Sequence, residues 1–257
     1  MKAVILAAGV GERLGSGPDH PPKALLRFGD KSLLARHMEI LHHCGVPEVV
    51  IATGYRADLV EAELVAIGAK CDDDGFARCV LNPHFQEGSI VSLWTVRAEL
   101  AGDGGVLLMD ADVLYDHRLI ERLLRSRHAS CFLLDRDIEP GDEPVKLCVH
   151  GGNLVEFRKV VRGTYDYCGE SVGFFRLSPE VARRLAETAE TYVAAGRRGE
   201  CYEEALRDVL LESPAGTFGF EDVTGLPWIE IDFPEDVRRA REEILPRLAR
   251  PAPEGCG

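Results

Sequence analysis

Leu6-Ala7-Ala8-Gly9-Val10-Gly11-Glu12-Arg13-Leu14 puts two glycines and an arginine directly after a short apolar run, and Lys23 follows Pro22 ten residues beyond the arginine. Glycines at 9 and 11 let backbone N–H groups come close to a phosphate chain. Arg13 adds a planar fork of donors and Lys23 a point charge. A GxG pair alone says little. Issuing straight from an N-terminal strand with two cations behind it, the pair points to phosphate binding. It lacks the third glycine of a dinucleotide fingerprint and the Gly-Lys-Ser/Thr of a Walker loop.

Asp110-Ala111-Asp112 follows a second apolar run, Val106 to Met109. If the chain stays extended, a spacing of two turns both carboxylates to one face. Hard oxygen ligands at a strand's end suit Mg²⁺ together with phosphate oxygens, although a solvated loop accounts for the same pair. Trp228-Ile229-Glu230-Ile231-Asp232 reads as another strand ending in an acid. Asp232 either completes the metal site or helps start the helix that Pro234 opens.

The elements that must carry these residues are legible from periodicity. Ala3 to Ala7 is a continuous apolar run, as in a strand covered on both faces. Ser32 caps a helix with Leu33, Leu34, His37, Met38 and Leu41 on one face, ending at Gly45. Strands at 49–52, 79–81 and 106–109 alternate with helices over 58–67 and 91–100. That alternation predicts a mostly parallel sheet with right-handed crossovers. Further on, 131–134 reads as a strand, and 145–149 and 154–157 as a hairpin about His150-Gly151-Gly152-Asn153. Residues 171–176 form a strand, Ser178-Pro179 opens a helix, and a C-terminal helix runs over about 234–250 before a tail at 251–257. A single domain over 1–250 is expected. Its first half covers about 1–135, and its β-rich second half about 136–233.

Composition narrows the partners. Of 257 residues, 46% are hydrophobic and 28% charged, an ordinary globular balance, and the formal net charge is −13. A net anion gains little from a nucleic acid or an anionic bilayer, so neither is an expected partner. A few basic residues focused on one pocket still admit a small anion. The eight cysteines contain no CxxC and fit no metal or disulfide framework. Free thiols in a reducing cytoplasm are therefore expected. No apolar run approaches the roughly 18 residues that a membrane span requires. The sequence leaves a homodimer open.

The strand-LAAGxGxRL segment, the Pro-Lys behind it, the carboxylates after the central strand and the late IEID resemble, in order and spacing, the nucleotidyltransferase fold of sugar-phosphate pyrophosphorylases and small-molecule cytidylyltransferases. Ser89-Ile90-Val91-Ser92-Leu93-Trp94 and Gly169-Glu170-Ser171-Val172-Gly173 look closest to the phosphocholine, inositol-phosphate and phosphonate cytidylyltransferases. One departure is Ser16, where many relatives carry Pro, with Pro18 nearby. The resemblance implies a Rossmann-like α/β sheet with an acceptor-binding insertion. It also implies Mg²⁺-dependent transfer of CMP from CTP to a small phospho- or phosphono-acceptor. By the same resemblance Asp112 and Asp232 hold Mg²⁺ with Asp110 in support. Lys23 neutralises the α-phosphate, Arg13 and the loop backbone hold the β- and γ-phosphates, and Ala8, Gly9 and Ser92 flank the nucleoside.

The acceptor side is expected on the hairpin, where Lys146 and Lys159 are candidates for the acceptor phosphate. Tyr165, Tyr167, Tyr202 and Trp228 are candidates for a cationic head group, and Glu170 and Glu203 for an amine. Each has a plain alternative as solvated or packing residues. Two rivals remain at this level: a hexose-1-phosphate enzyme using UTP, dTTP or GTP, and a non-catalytic nucleotide-sensing module. The joint presence of Arg13, Lys23, Asp112 and Asp232 argues against the module.

Overall fold

The computed structural model describes residues 1–15, 20–71, 75–138 and 144–249; Ser16, Pro18, Cys256 and the tail at 251–257 lie outside the described residues. The first half runs β1 (Lys2–Ala7), β2 (Arg27–Phe28), β3 (Lys31–Ser32), α1 (Leu33–His43), β4 (Val49–Thr53), α2 (Ala57–Cys71), β5 (Ala77–Leu81), α3 (Ser89–Thr95), α4 (Arg97–Leu100), β6 (Val106–Asp110), β7 (Val113–Tyr115), α5 (Arg118–Arg125) and β8 (Ser130–Asp135). The second half adds β9 (Lys146–His150), β10 (Asn153–Arg158), β11 (Tyr167–Leu177), α6 (Pro179–Ala194), α7 (Tyr202–Glu212), β12 (Phe218–Asp222), β13 (Trp228–Glu230) and α8 (Pro234–Arg239).

Nine of these strands form one sheet in the order β10-β9-β11-β6-β1-β4-β5, with β8 pairing β11 and β12 beside that path. Strands β6, β1, β4 and β5 are parallel, as the alternating pattern predicts. β11, from the second half, joins the same sheet antiparallel to β6. Successive residues of a strand point to opposite faces, and the core divides accordingly. Val4, Val50, Ala52 and Leu108 face the layer built from α3, α6 and α7. Ala3, Ile5, Val49, Ile51, Leu107 and Met109 face residues of α1 and α5. A third cluster, including Phe28, Leu114, Ile229, Ile231 and Ile244, ties the C-terminal segment to the loops at one end of the sheet.

Three expectations are corrected. The helix over 91–100 is broken at Val96, whose φ of −97° and ψ of 13° end α3 and begin α4. The C-terminal helix stops being α-helical at Arg239, widens into a π-type turn over Ala240–Ile244 and closes in a 3₁₀ turn over Leu245–Arg247. Pro246 accounts for that ending, since it has no N–H to donate to the preceding turn. Finally, Cys148 and Cys168 are not free thiols. The antiparallel register sets them directly opposite, 4.1 Å apart at Cα, and they form a disulfide. Cys44, Cys79, Cys131 and Cys201 are free. No helix among the described residues is long and apolar enough to cross a membrane.

His37 on α1 links the core to the Asp110–Asp112 loop. It is fully buried, and its ring nitrogens lie 3.1 Å from the Ala111 carbonyl and 3.2 Å from the Tyr115 hydroxyl. Burial pushes its pKa down to about 4, against weaker upward pulls from the Ala111 carbonyl and Asp112. The unfolded chain protonates near pH 6.5 and the folded one only near the lower value. This contribution is therefore complete above about pH 6.5 and lost as the pH falls toward about 4. Denaturant unfolding should show about 2 kcal/mol less stability from this source at pH 5 than at pH 7. His37→Gln, which keeps a donor and an acceptor, should flatten that part of the profile. An unchanged slope in the variant would refute the assignment.

Candidate active site

The parallel strands deliver their loops to one edge of the sheet, the place where open α/β sheets bind ligands. Gly11, just beyond β1, has a φ of +71°, and a Cβ there would meet the Lys23 stem at 2.9 Å. Glycine thus provides both the left-handed turn and room for the lysine. Lys23 begins a short 3₁₀ turn behind Pro22 and rises beneath the loop. Its ammonium donates to Asp112 Oδ2 at 2.8 Å and to Asp232 Oδ1 at 2.5 Å. Arg13 reaches the other oxygen of Asp232 at 3.6 Å. Burial alone would lower the Lys23 pKa, but the charges of Asp112 and Asp232 more than offset it and the pKa is raised. Lys23 is a permanent cation.

The two aspartates, 120 residues apart in sequence, meet through β7 and β13. Antiparallel pairing sets Glu230 opposite Val113, and the Ile231 N–H donates to the Asp112 carbonyl at 2.9 Å. Asp236 at the start of α8 accepts from the N–H groups of Asp232 at 3.0 Å and Phe233 at 2.7 Å, pinning that backbone. Oxygens of Asp112, Glu230 and Asp232 all lie within 4.8 Å of one another. Three hard carboxylate oxygens at that spacing fit a divalent cation such as Mg²⁺. Glu230 is exposed to a cavity, and the protein packed around it, with the charges of Asp112 and Asp232, pushes its carboxyl up to about 8 while Lys23 opposes.

Asp110 goes elsewhere. The strand ends at Asp110, the chain bends at Ala111 and Asp112, and Asp110 stands outside the group of three carboxylates. Tyr202 is buried and its hydroxyl donates to Asp110 Oδ2 at 2.8 Å. Burial raises the Asp110 pKa well above the usual carboxylate range, with Glu203, Asp112 and Glu230 adding to it and the Tyr202 hydrogen bond opposing. Gly173, inside an irregular stretch of β11, has a φ of +79°, and a Cβ there would stand 2.3 Å from Asp110 Oδ2.

Two cavities flank this cluster and share Asp232. The first, about 690 Å³, is lined by Leu6, Ala7, Gly9 to Arg13, Lys23 and Asp112, and also by Tyr55, Phe85, Gln86 and Glu87. Sequence reasoning missed the last four. They sit beyond β4 and β5, and only their position after predicted strands marked them. Ala8 and Ser92 do not line this cavity: the Ala8 carbonyl accepts from Tyr55 N–H at 3.0 Å and Ser92 Oγ from Asn82 at 3.1 Å.

The second cavity, about 390 Å³, brings together Glu170, Trp228, Glu230 and Asp232 with Asp135, Asp137, Phe233, Asp236, Arg239 and Arg247. The Trp228 indole donates to Asp135 at 2.7 Å. Lys146 donates to the carbonyl of Lys159 at 2.9 Å across the hairpin and does not line the cavity. Lys159 lies near Glu203, whose pKa is raised by burial and pulled back by that lysine. Tyr165 is exposed, and Tyr167 is covered by the Arg136 guanidinium 4.0 Å above its ring.

Over 248 residues the chain is 31% identical to a choline-phosphate cytidylyltransferase of Streptococcus pneumoniae, covering 95% of this chain and 98% of that protein. It is 27% identical to a bifunctional IPC transferase and DIPP synthase of Thermococcus kodakarensis, across all of this chain but only 52% of that protein. The chain thus spans about half the length of the first relatives it matches. Among solved structures, the inositol-1-phosphate CTP transferase from T. maritima has the same fold, with a TM-score of 0.74, 21% identity, and 97% and 98% of the two chains covered. The model of the MobA-like NTP transferase domain matches residues 3–159. With more than half its length matched, the chain belongs to the MobA-like NTP transferase family, a family of nucleotidyltransferases.

Proposed function

We propose that the protein is a Mg²⁺-dependent cytidylyltransferase that transfers CMP from CTP to a small phosphorylated or phosphonate acceptor and releases pyrophosphate. The observation that carries this reading is the Lys23–Asp112–Asp232 cluster, set where a cavity lined by the glycine loop meets a second, acidic one. An acceptor oxygen attacks the α-phosphorus of CTP in line. The new P–O bond forms as the bond to the β-phosphate oxygen breaks, and pyrophosphate leaves with that electron pair.

A phosphate monoester with its second pKa near about 6 is mostly dianionic at neutral pH, so the attack needs no general base. It needs two anions aligned and their repulsion neutralised. Lys23 faces the α-phosphate, Arg13 and the loop amides hold the β- and γ-phosphates, and Asp112 with Asp232 would hold Mg²⁺, Glu230 being within reach. Mg²⁺ supplies charge neutralisation between the two anions. The second cavity favours an acceptor with a cationic head group, a choline or amine, over inositol phosphate. Six acidic residues line it against Arg239 and Arg247, and Trp228 offers a ring face.

The test is pyrophosphate release with Mg²⁺, four NTPs crossed with phosphocholine, phosphoethanolamine, aminoalkylphosphonates, inositol 1-phosphate and hexose 1-phosphates, with products weighed by mass spectrometry. Release with CTP and a cationic acceptor is the expected result. Turnover of a hexose 1-phosphate with UTP, dTTP or GTP would sink the cytidylyl assignment, and silence across the grid would favour a nucleotide-sensing module.

A further inference from the structure

We propose that Phe233 is a positioning residue whose ring holds the Arg13 guanidinium at the triphosphate end of the first cavity. This rests on the reading above that a nucleotide triphosphate occupies that cavity.

Arg13 projects from a single 3₁₀ turn, Glu12–Leu14, with positive-φ glycines at 11 and 15 on either side. Its side chain is 48% exposed, so it carries rotamer freedom that phosphate binding must remove. Among its contacts are the 3.6 Å pairing with Asp232 and the Phe233 ring, whose centroid lies 5.3 Å from the guanidinium carbon.

The two restraints differ in kind. Asp232 already accepts from Lys23 and stands within reach of a divalent cation with Asp112 and Glu230. Once a metal competes for its oxygens and a phosphate chain for the donors of Arg13, its hold on Arg13 weakens. The ring competes with neither. The cation–π contact takes up no oxygen acceptor, so Arg13 can keep it while its N–H donors turn to a phosphate.

Phe233 is itself well placed to do this. It is 40% exposed, an isolated surface aromatic that alone would need no explanation. Yet its backbone is fixed, because Asp236 accepts its N–H as well as that of Asp232. The ring also lines the second cavity, so it stands on the wall between the two chambers.

The experiment is a double-mutant cycle on the full chain: Phe233→Leu, Arg13→Ala and both together, with Phe233→Trp as the rescue variant. The probe is inorganic triphosphate with Mg²⁺, titrated calorimetrically, which involves neither base nor acceptor. Phe233→Leu should weaken binding roughly three- to fivefold, the scale of an exposed cation–π contact. Phe233→Trp should bind at least as tightly as the wild type, and Phe233→Leu should change nothing once Arg13 is alanine. In turnover, the KM for CTP should rise with kcat nearly constant, since the contact is made equally in ground and transition states.

A leucine effect that persists without Arg13, or a tryptophan variant as weak as leucine, would overturn the proposal, as would a wild type that does not bind triphosphate. Thermal midpoints of all four variants identify a folding defect. If the cycle behaves as expected while no acceptor yields pyrophosphate, the functional reading fails and the Phe233–Arg13 contact stands.

Discussion

Replacing Lys23 with methionine is expected to reduce turnover by a factor on the order of 10² to 10³, the effect of deleting one well-aimed electrostatic group. Methionine keeps most of the stem and removes the charge, so the packing beneath Gly11 survives. What disappears is the side-chain cation that donates to both Asp112 and Asp232. The two carboxylates then face each other without it, and leaving buried charge unpaired destabilises a fold. Because both aspartates retain some solvent exposure, about 2 kcal/mol is a reasonable scale, below that for fully buried pairs.

A divalent cation compensates the same two carboxylates. Mg²⁺ should therefore raise the thermal midpoint of Lys23→Met more than that of the wild type. Steady-state pyrophosphate release and melting with and without Mg²⁺ test both halves. Near-wild-type turnover with an intact fold would remove Lys23 from the reaction, and an equal Mg²⁺ effect in both proteins would remove the metal from this site.

Gly173→Ala should cost about 3 to 5 kcal/mol of stability, a range reserved for strained or overpacked positions. Two penalties combine. A φ of +79° is a conformation that an L-residue adopts at a cost of about 1 to 2 kcal/mol. The added methyl would also stand 2.3 Å from Asp110 Oδ2. That oxygen has no easy retreat, because Tyr202 holds it at 2.8 Å.

Any relief must displace the loop that carries Asp112, so activity should fall with stability. Gly216→Ala is the control. Its φ is +85° with nothing within 4 Å of the would-be Cβ, so it isolates the backbone penalty. Equal losses of stability in the two variants would show that crowding at Asp110 contributes nothing.

Much of this is legible in the order of the residues. Apolar runs and capping residues were enough to place β1, α1, β4 and β6, because burial on both faces of a parallel strand and an N-cap at Ser32 are local signals. The hairpin of β9 and β10 follows from two adjacent glycines that tolerate positive φ, and both adopt it. Elements with weaker local signals escaped: β7 is three residues long, and α7 and β12 carried no turn or cap clear enough to mark them. Glu230 was visible only as part of a strand motif. Its place beside Asp112 and Asp232 depends on the register of β7 against β13.

Residue types and spacings set the chemistry available: a glycine loop with Arg13 and Lys23, carboxylates at strand ends, and a net charge of −13. These are local properties, and they survive without a fold. Which charges meet depends on the tertiary structure. It sent Asp112 to Lys23 and Asp110 to Tyr202, although only one residue separates the two aspartates. It joined Cys148 to Cys168, set Phe233 under Arg13, and turned Lys146 toward a backbone carbonyl. Each of these depends on strand register or on a bend of a few residues, and a single register step reverses every side chain on a strand.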